Sequence, residues 1–234
     1  RFAMLLIDEK LIAWKKTLCR QVDVSGLFSR SRVAHKWKAP FRSLSLREAV
    51  AWRTQDLLEQ SVALYDVDHL LGARILLRSA FETVAVLIYL NQLTRQVLDG
   101  SLDFHSFSEK TSILLLGSRD DSTPLKSLNI ITILNKCVTR YPELMELYEN
   151  LSESAHPNYE GIAVGYSDID IEKYIVNYKN KCKAIYGNSH LQMVECCISV
   201  FYDEYNGEWN DAFEKLEKWI EKHDKELKAK KGDA

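Results

Sequence analysis

The chain has no C-x-x-C pair, no Cys/His zinc spacing, no phosphate loop and no dinucleotide fingerprint. Nothing in it therefore argues for a structural zinc, a nucleotide-hydrolysing loop or a Rossmann cofactor, and neither a metal nor a cofactor is expected. An excess of one charge is lacking too. Thirty-one Lys and Arg stand against 33 Asp and Glu, a net charge of −2, so any affinity for nucleic acid must be local. There is no uninterrupted apolar run either. The best candidate, 70–90, carries Arg74, Arg78 and Glu82, and placing such charges in hydrocarbon costs roughly 3 kcal/mol each. Neither a membrane span nor a membrane partner is expected. The opening RFAMLLIDEKLIAWKK sets acids inside its apolar run, so it does not read as a signal peptide. With no initiator methionine, further residues are expected upstream of Arg1. The five cysteines (Cys19, Cys137, Cys182, Cys196, Cys197) are odd in number and fall in helical patterns, which fits reduced thiols and a cytoplasmic location.

Helical periodicity fills most of the chain. Ile7, Leu11, Trp14 and Leu18 step by four, three and four, predicting a first helix that ends near Arg20. Gly26, Pro40 and several serines interrupt 21–44. Ser45-Leu-Arg-Glu48 reads as a capping box that opens a helix to about Asp66. The greasy central helix follows from about Asp68. Shorter helices are expected over 103–115, after Pro124, and over 142–156, where Pro157 stops the last. Helices are also expected over about 169–186 and, from the Ser189-x-x-Gln192 box, over 188–205, with Ile169 and Ile171 the only strand-like pieces. Trp209, Phe213, Leu216, Ile220, His223 and Leu227 form a heptad-like seam on a final helix. The fold class is all-α: an N-terminal helix and basic connector (1–44), a helical bundle (45–205) and a long C-terminal amphipathic helix (206–234).

Three places could carry chemistry. On the central helix Arg74, Arg78 and Glu82 stand four residues apart, forming one stripe. The stripe is either a solvated edge or an inward polar site needing carboxylate or phosphate partners, because unpaired arginine is costly to bury. Two arginines against one glutamate suit an anionic ligand. A second set is Glu149, Glu153 and His156, on one face at the end of a helix, followed by a Pro157-Asn158 turn. There His156 either caps the helix against its dipole or serves as a general acid/base or metal ligand. A di-metal reading would match Glu153-x-x-His156 with Asp66-x-x-His69 and add Glu82 and Glu59. The third is 20–53, where eight basic residues face only Asp23 and Glu48. Within it Arg30, Arg32, His35, Lys36, Trp37, Lys38 and Arg42 mix cations with an aromatic, as a single-stranded nucleic-acid surface does. Alternatively this is a connector whose aromatics anchor it. The seam at 209–227 either packs on its own bundle or docks a protein partner or second copy.

The run Gly72-Ala73-Arg74-x-x-x-Arg78-Ser79-x-x-Glu82, followed by Leu151-Ser152-Glu153-x-x-His156-Pro157-Asn158, resembles an uncharacterised family of bacterial helical proteins. That family is similar in turn to the HEPN superfamily (higher eukaryotes and prokaryotes nucleotide-binding domains). The resemblance covers about 45–205. It implies a HEPN-like α-bundle, often dimeric, acting in toxin–antitoxin or antiviral defence systems through RNA or nucleotide. Many such proteins are metal-independent endoribonucleases using R-x(4–6)-H. In this chain the positions before His156 hold Glu149, Asn150 and Leu151, and the one literal match is Arg30-x4-His35. An RNase reading would therefore need Arg78 or Arg74 to supply the cation across a helix interface, with His156 as base and Glu82 beside them. Arg74, Glu153 and Asn158 would complete an anion site. The alternative is a non-enzymatic interaction module.

Overall fold

The computed structural model describes residues 2–232. Among them are nine α-helices: α1 (Phe2–Thr17), α2 (Val24–Arg30), α3 (Lys38–Asp66), α4 (Leu70–Leu98), α5 (Phe104–Leu116), α6 (Ile130–Cys137), α7 (Leu144–Ala155), α8 (Cys182–Tyr202) and α9 (Trp209–Gly232). One antiparallel hairpin, β1 (Ser167–Asp170) and β2 (Ile175–Tyr178), interrupts them. The all-α bundle with a long C-terminal amphipathic helix is the fold class. No helix among the described residues is long and apolar enough to cross a membrane.

The chain clusters into two compact units that cut across the 1–44, 45–205 and 206–234 boundaries. The first comprises 1–17, 52–84 and 137–200; the second comprises 18–51, 85–136 and 201–234. In the first unit the expected α1 seam is buried at Ile7, Leu11 and Trp14. Leu57, Leu58 and Val62 of α3, Leu77 and Phe81 of α4, Leu144, Tyr148 and Leu151 of α7, and Val194 and Cys197 of α8 complete the core. The turn from α3 to α4 rests on Asp68, which adopts a left-handed φ of 63°. The His69 N–H then bonds back to the Leu64 carbonyl at 2.9 Å, the αL ending that lets one helix stop and the next reverse. Asp66 thus closes α3 and His69 precedes α4, so they do not share a helical face.

The second unit buries the C-terminal seam in its own interior. Trp209, Phe213, Leu216, Ile220 and Leu227 are all buried, and Trp219 stacks on Phe104 at 5.9 Å. The sequence left open a seam for a protein partner or homodimer at 209–227. That apolar stripe is instead filled by the chain itself, because α9 lays it against α5 and the 28–37 segment.

Four boundaries differ from the sequence expectation, each for a local reason. α1 ends at Thr17, not Arg20. α3 begins at Lys38, seven residues before the Ser45 box, and Pro40 sits in its first turn, where an N–H has no intrahelical partner. Pro124 lies in an irregular loop, and α6 starts only at Ile130. The helix expected over 169–186 is absent. Ser167–Tyr178 forms the hairpin, whose β-branched and aromatic residues favour a pleated surface. α8 then starts at Cys182, whose N–H donates to Asn180 Oδ1 at 3.0 Å just ahead of the helix. Ser189 is mid-helix, its hydroxyl bonded back to the Tyr186 carbonyl.

Candidate functional site

The charged stripe of α4 faces α7. Arg74 is 1% exposed, yet every oxygen it bonds is neutral. Its Nε donates to Ser154 Oγ at 2.6 Å, and its Nη2 donates to the Asn150 carbonyl at 3.0 Å and to Asn150 Oδ1 at 2.8 Å. The guanidinium lies over the Tyr186 ring, 4.6 Å from its centroid, and Nη1 is buried without a hydrogen-bond partner. Burial pulls the Arg74 pKa below its ordinary value, although the group stays charged. Glu160 accepts the Tyr186 hydroxyl at 2.9 Å rather than binding the guanidinium. Burial, reinforced by that carboxylate, pushes the Tyr186 phenol up to about 12.

One turn further along α4, Arg78 and Glu82 are half-buried and share Tyr148. Arg78 Nη2 donates to the Tyr148 hydroxyl at 2.7 Å, and that hydroxyl donates to Glu82 Oε1 at 3.1 Å. Arg78 Nε stands 3.4 Å from the same carboxylate oxygen. The pair is therefore not an open surface pair of the kind a solvated edge would show. It closes through a tyrosine of the neighbouring helix.

These contacts run α4 and α7 in opposite directions, with Tyr148 beside Arg78 and Ser154 beside Arg74. His156, eight residues beyond Tyr148, therefore lies about 12 Å further along the α7 axis, at 1.5 Å per residue. The structure does not bring Arg78, Glu82 and His156 together as a catalytic set would require. His156 belongs to the Arg74 end. It is exposed and ends α7, its backbone N–H bonded to the Ser152 carbonyl. Glu153 does not orient it: that carboxylate accepts Asn158 Nδ2 at 2.5 Å. Asn158 Oδ1 in turn accepts the Gly161 N–H at 2.9 Å, closing the turn that leads to Glu160. Among the described residues no group of three His, Cys, Asp or Glu converges as metal ligands would.

A second buried titratable group adjoins this cluster. His190 is fully buried, stacked on Tyr65 with ring centroids 5.6 Å apart, and its Nε2 is 3.2 Å from Ser61 Oγ. The Ser61 hydroxyl donates to the Ala73 carbonyl at 2.7 Å, so His190 Nε2–H donates to Ser61 and Nδ1 is left bare. Burial, with the Arg74 charge as a second cause, lowers the His190 pKa to about 4.

In the second unit the basic segment is partly spent on structure. Arg30 makes a bidentate pair with Glu217, its Nη2 2.7 Å from Oε2, which raises its pKa. His35 Nδ1 meets the Ser31 carbonyl at 2.9 Å, so the literal Arg30-x4-His35 match is built into packing. Trp37 donates to Asp224 Oδ1 at 3.0 Å and sets its edge against Phe104, so its ring is not an open stacking platform. Arg42 donates to the Ser108 carbonyl. Arg32, Lys36 and Lys38 remain exposed.

Tyr148, Asn150, Ser154, Tyr186 and His190 were not singled out by sequence. The only signal for the first three was their place on the helix that carries Glu153, where Asn150 and Ser154 stand four residues apart. Comparison with protein-family models, with curated proteins and with solved structures finds no match.

Proposed function

We propose that the chain is a HEPN-like binding protein that receives a phosphate of RNA or of a nucleotide on the α4–α7 face, in a defence or toxin-type setting. One observation carries this reading: Arg74 is sealed in the interior against neutral oxygens, with one guanidinium nitrogen unpartnered. In a medium of low dielectric that surplus charge is screened weakly and favours an anion beside it. Arg78, one helical turn away and half-buried, is the group such an anion meets. Binding is favoured over cleavage because His156 is exposed, has no carboxylate orienting it and lies two turns from Arg78. A general base needs a fixed position within hydrogen-bond reach of its proton.

The test is fluorescence anisotropy of a short single-stranded RNA, with nucleoside triphosphate as competitor, across a salt series. Binding should weaken log-linearly with salt, and Arg78→Ala should cost about tenfold and reduce the slope by about 0.7. His156→Ala should leave affinity unchanged. An Arg78→Ala protein that binds as tightly as wild type refutes the site. RNA cut by wild type but not by His156→Ala would establish the ribonuclease instead. The second reading, a non-enzymatic interaction module, draws its support from the β1–β2 hairpin rather than from α9.

A further inference from the structure

The two arginines of the α4 stripe have different company. Arg74 bonds only neutral oxygens, whereas Arg78, one turn on, has a carboxylate beside it. That carboxylate, Glu82, is an anion already set against the guanidinium. Its Oε1 also takes the proton of the Tyr148 hydroxyl, while the hydroxyl oxygen accepts from Arg78 Nη2. A phenol has one O–H to give. The guanidinium and the phenol proton are the two groups here that suit a phosphate oxygen, and one side chain engages both.

Glu82 engages them loosely. Its Oε1 stands 3.4 Å from Arg78 Nε, and that nitrogen makes no hydrogen bond. Arginine placed N-terminal to glutamate at this spacing is the weaker order of such a pair. The second carboxylate oxygen, Oε2, meets no donor among the described residues. The contrast is with Arg30 and Glu217 in the second unit, where Nε and Nη2 both donate to the carboxylate and hold it as a fork. Arg78 and Glu82 are each 27% exposed at the side chain, so the carboxylate borders water.

We infer that Glu82 is an internal competitor for the phosphate site: it covers the Arg78 and Tyr148 donors in the free protein and swings out when an anionic ligand takes its place. This deepens the phosphate-binding reading and rests on it, since it takes Arg78 as the anion's contact. A change of Glu82 rotamer brings the carboxylate into water with both helices in place. The Tyr148 O–H that it gives up then turns to the incoming phosphate oxygen, beside the guanidinium. With Glu82 unmoved, an anion on Arg78 lies about 5 Å from a like charge, which opposes binding several-fold even at an effective dielectric near that of water. Where the donors are free about a tenth of the time, apparent affinity falls about tenfold. Every anion bears the same loss, and only one held by further contacts binds despite it. A side chain of the stripe itself thus keeps small inorganic anions off Arg78.

The experiment is the anisotropy assay with the same short single-stranded RNA at low salt, on variants whose helix content is checked by circular dichroism. Glu82→Gln keeps the shape and an acceptor for Tyr148 but removes the competing charge, and it should tighten binding about tenfold. Glu82→Ala also releases the Tyr148 proton and should gain at least as much. Two controls separate competition from a general loss of negative charge. Glu149→Gln makes the same charge change on an exposed residue that follows Tyr148, and it should alter affinity by less than about twofold. Glu82→Gln placed in an Arg78→Ala protein should do no more, because nothing is left to compete for. A gain in neither Glu82 variant, with Arg78→Ala still weakened, overturns the competitor and leaves the phosphate site standing. An equal gain in Glu149→Gln, or one that persists without Arg78, also overturns it, the effect then being general charge. If Arg78→Ala binds as tightly as wild type, the phosphate site itself fails and the competitor falls with it.

Discussion

Gly161→Ala should damage the turn behind the candidate site far more than any other glycine-to-alanine change in it. A Cβ built at Gly161 falls 2.0 Å from the His156 carbonyl oxygen, with the Ser154 oxygen at 3.1 Å. An ordinary carbon–oxygen contact is about 3.3–3.6 Å, so the backbone must open by more than 1 Å. The segment cannot open cheaply. The Gly161 N–H is held by Asn158 Oδ1, the Asn158 N–H by the same His156 carbonyl, and the Ile162 N–H by the Asn158 carbonyl. Losing two such bonds at about 1 kcal/mol each, with the repacking of Glu160 and Tyr186 behind them, gives a cost of about 2–4 kcal/mol. For a chain of this length that lowers Tm by about 5–12 °C. Gly165 is the control. Its Cβ would meet the Cys182 sulfur at 3.2 Å, and its backbone is helical, at φ −70° and ψ −25°. Alanine there should change stability by less than about 1 kcal/mol, because the lost unfolded-state freedom offsets the tight contact. Thermal melts followed by circular dichroism compare the two. Equal melting temperatures for Gly161→Ala and Gly165→Ala would show that the 156–161 turn is not the rigid support described.

His190 makes stability fall on the acid side. The folded state accepts its proton only near pH 4, whereas an unfolded histidine does so near 6.5, so the unfolded chain binds more protons between those values. The His190 contribution is intact above pH 6.5 and fades by about 3 kcal/mol as pH falls to 4; urea melts should show this loss, and His190→Gln should abolish it in that window. Carboxylates held low, such as Asp103 at the start of α5, lose their contribution only below about pH 4, so they do not mimic the effect. Leu216→Ala should cost about 2–5 kcal/mol in the same assay, because the α9 seam is core; a change in oligomeric mass without loss of stability would restore the docking reading. Arg30→Ala should leave RNA affinity unchanged in the anisotropy assay, since Glu217 already engages that guanidinium, and a tenfold loss would return the basic segment to the binding surface.

The helices were legible where one chemical signal dominated. The four-three stepping of Ile7, Leu11 and Trp14 and of the α9 seam reports a buried stripe directly, and both stripes are buried. Caps were read less well. Ser45 and Ser189 fit the capping pattern but sit inside helices, because the pattern reports only what a hydroxyl could bond if the chain turned there. Asn180, which accepts the Cys182 N–H at the start of α8, lay inside a stretch assigned to helix. The hairpin was missed for a related reason. Asp168-Ile169-Asp170-Ile171 is a four-residue alternation, too short to outweigh helical neighbours on either side, and its apolar face points the wrong way for a core.

The candidate site shows where sequence spacing stops being informative. Spacing placed Arg74, Arg78 and Glu82 on one stripe, and it placed Glu153 and His156 on one face; it could not say how two helices register against each other. That register is set by small or uncharged residues, Tyr148, Asn150 and Ser154, whose polar atoms reach α4. A guanidinium bonded to a carboxylate announces itself through opposite charges at matching spacing. One satisfied by a serine, an asparagine and a tyrosine face leaves no such trace. The same choice of partners leaves the guanidinium without a carboxylate in hydrogen-bond contact, Glu160 acting on it only through space. Had an aspartate stood at Asn150, the pair would be neutral and the face would have no surplus to offer an anion. Asn150→Asp is therefore the substitution that separates structure from binding. It should preserve or strengthen the bond to Arg74, holding Tm or raising it, while weakening RNA binding at low salt. A variant both stable and tight-binding would mean that the Arg74 charge takes no part in recognition.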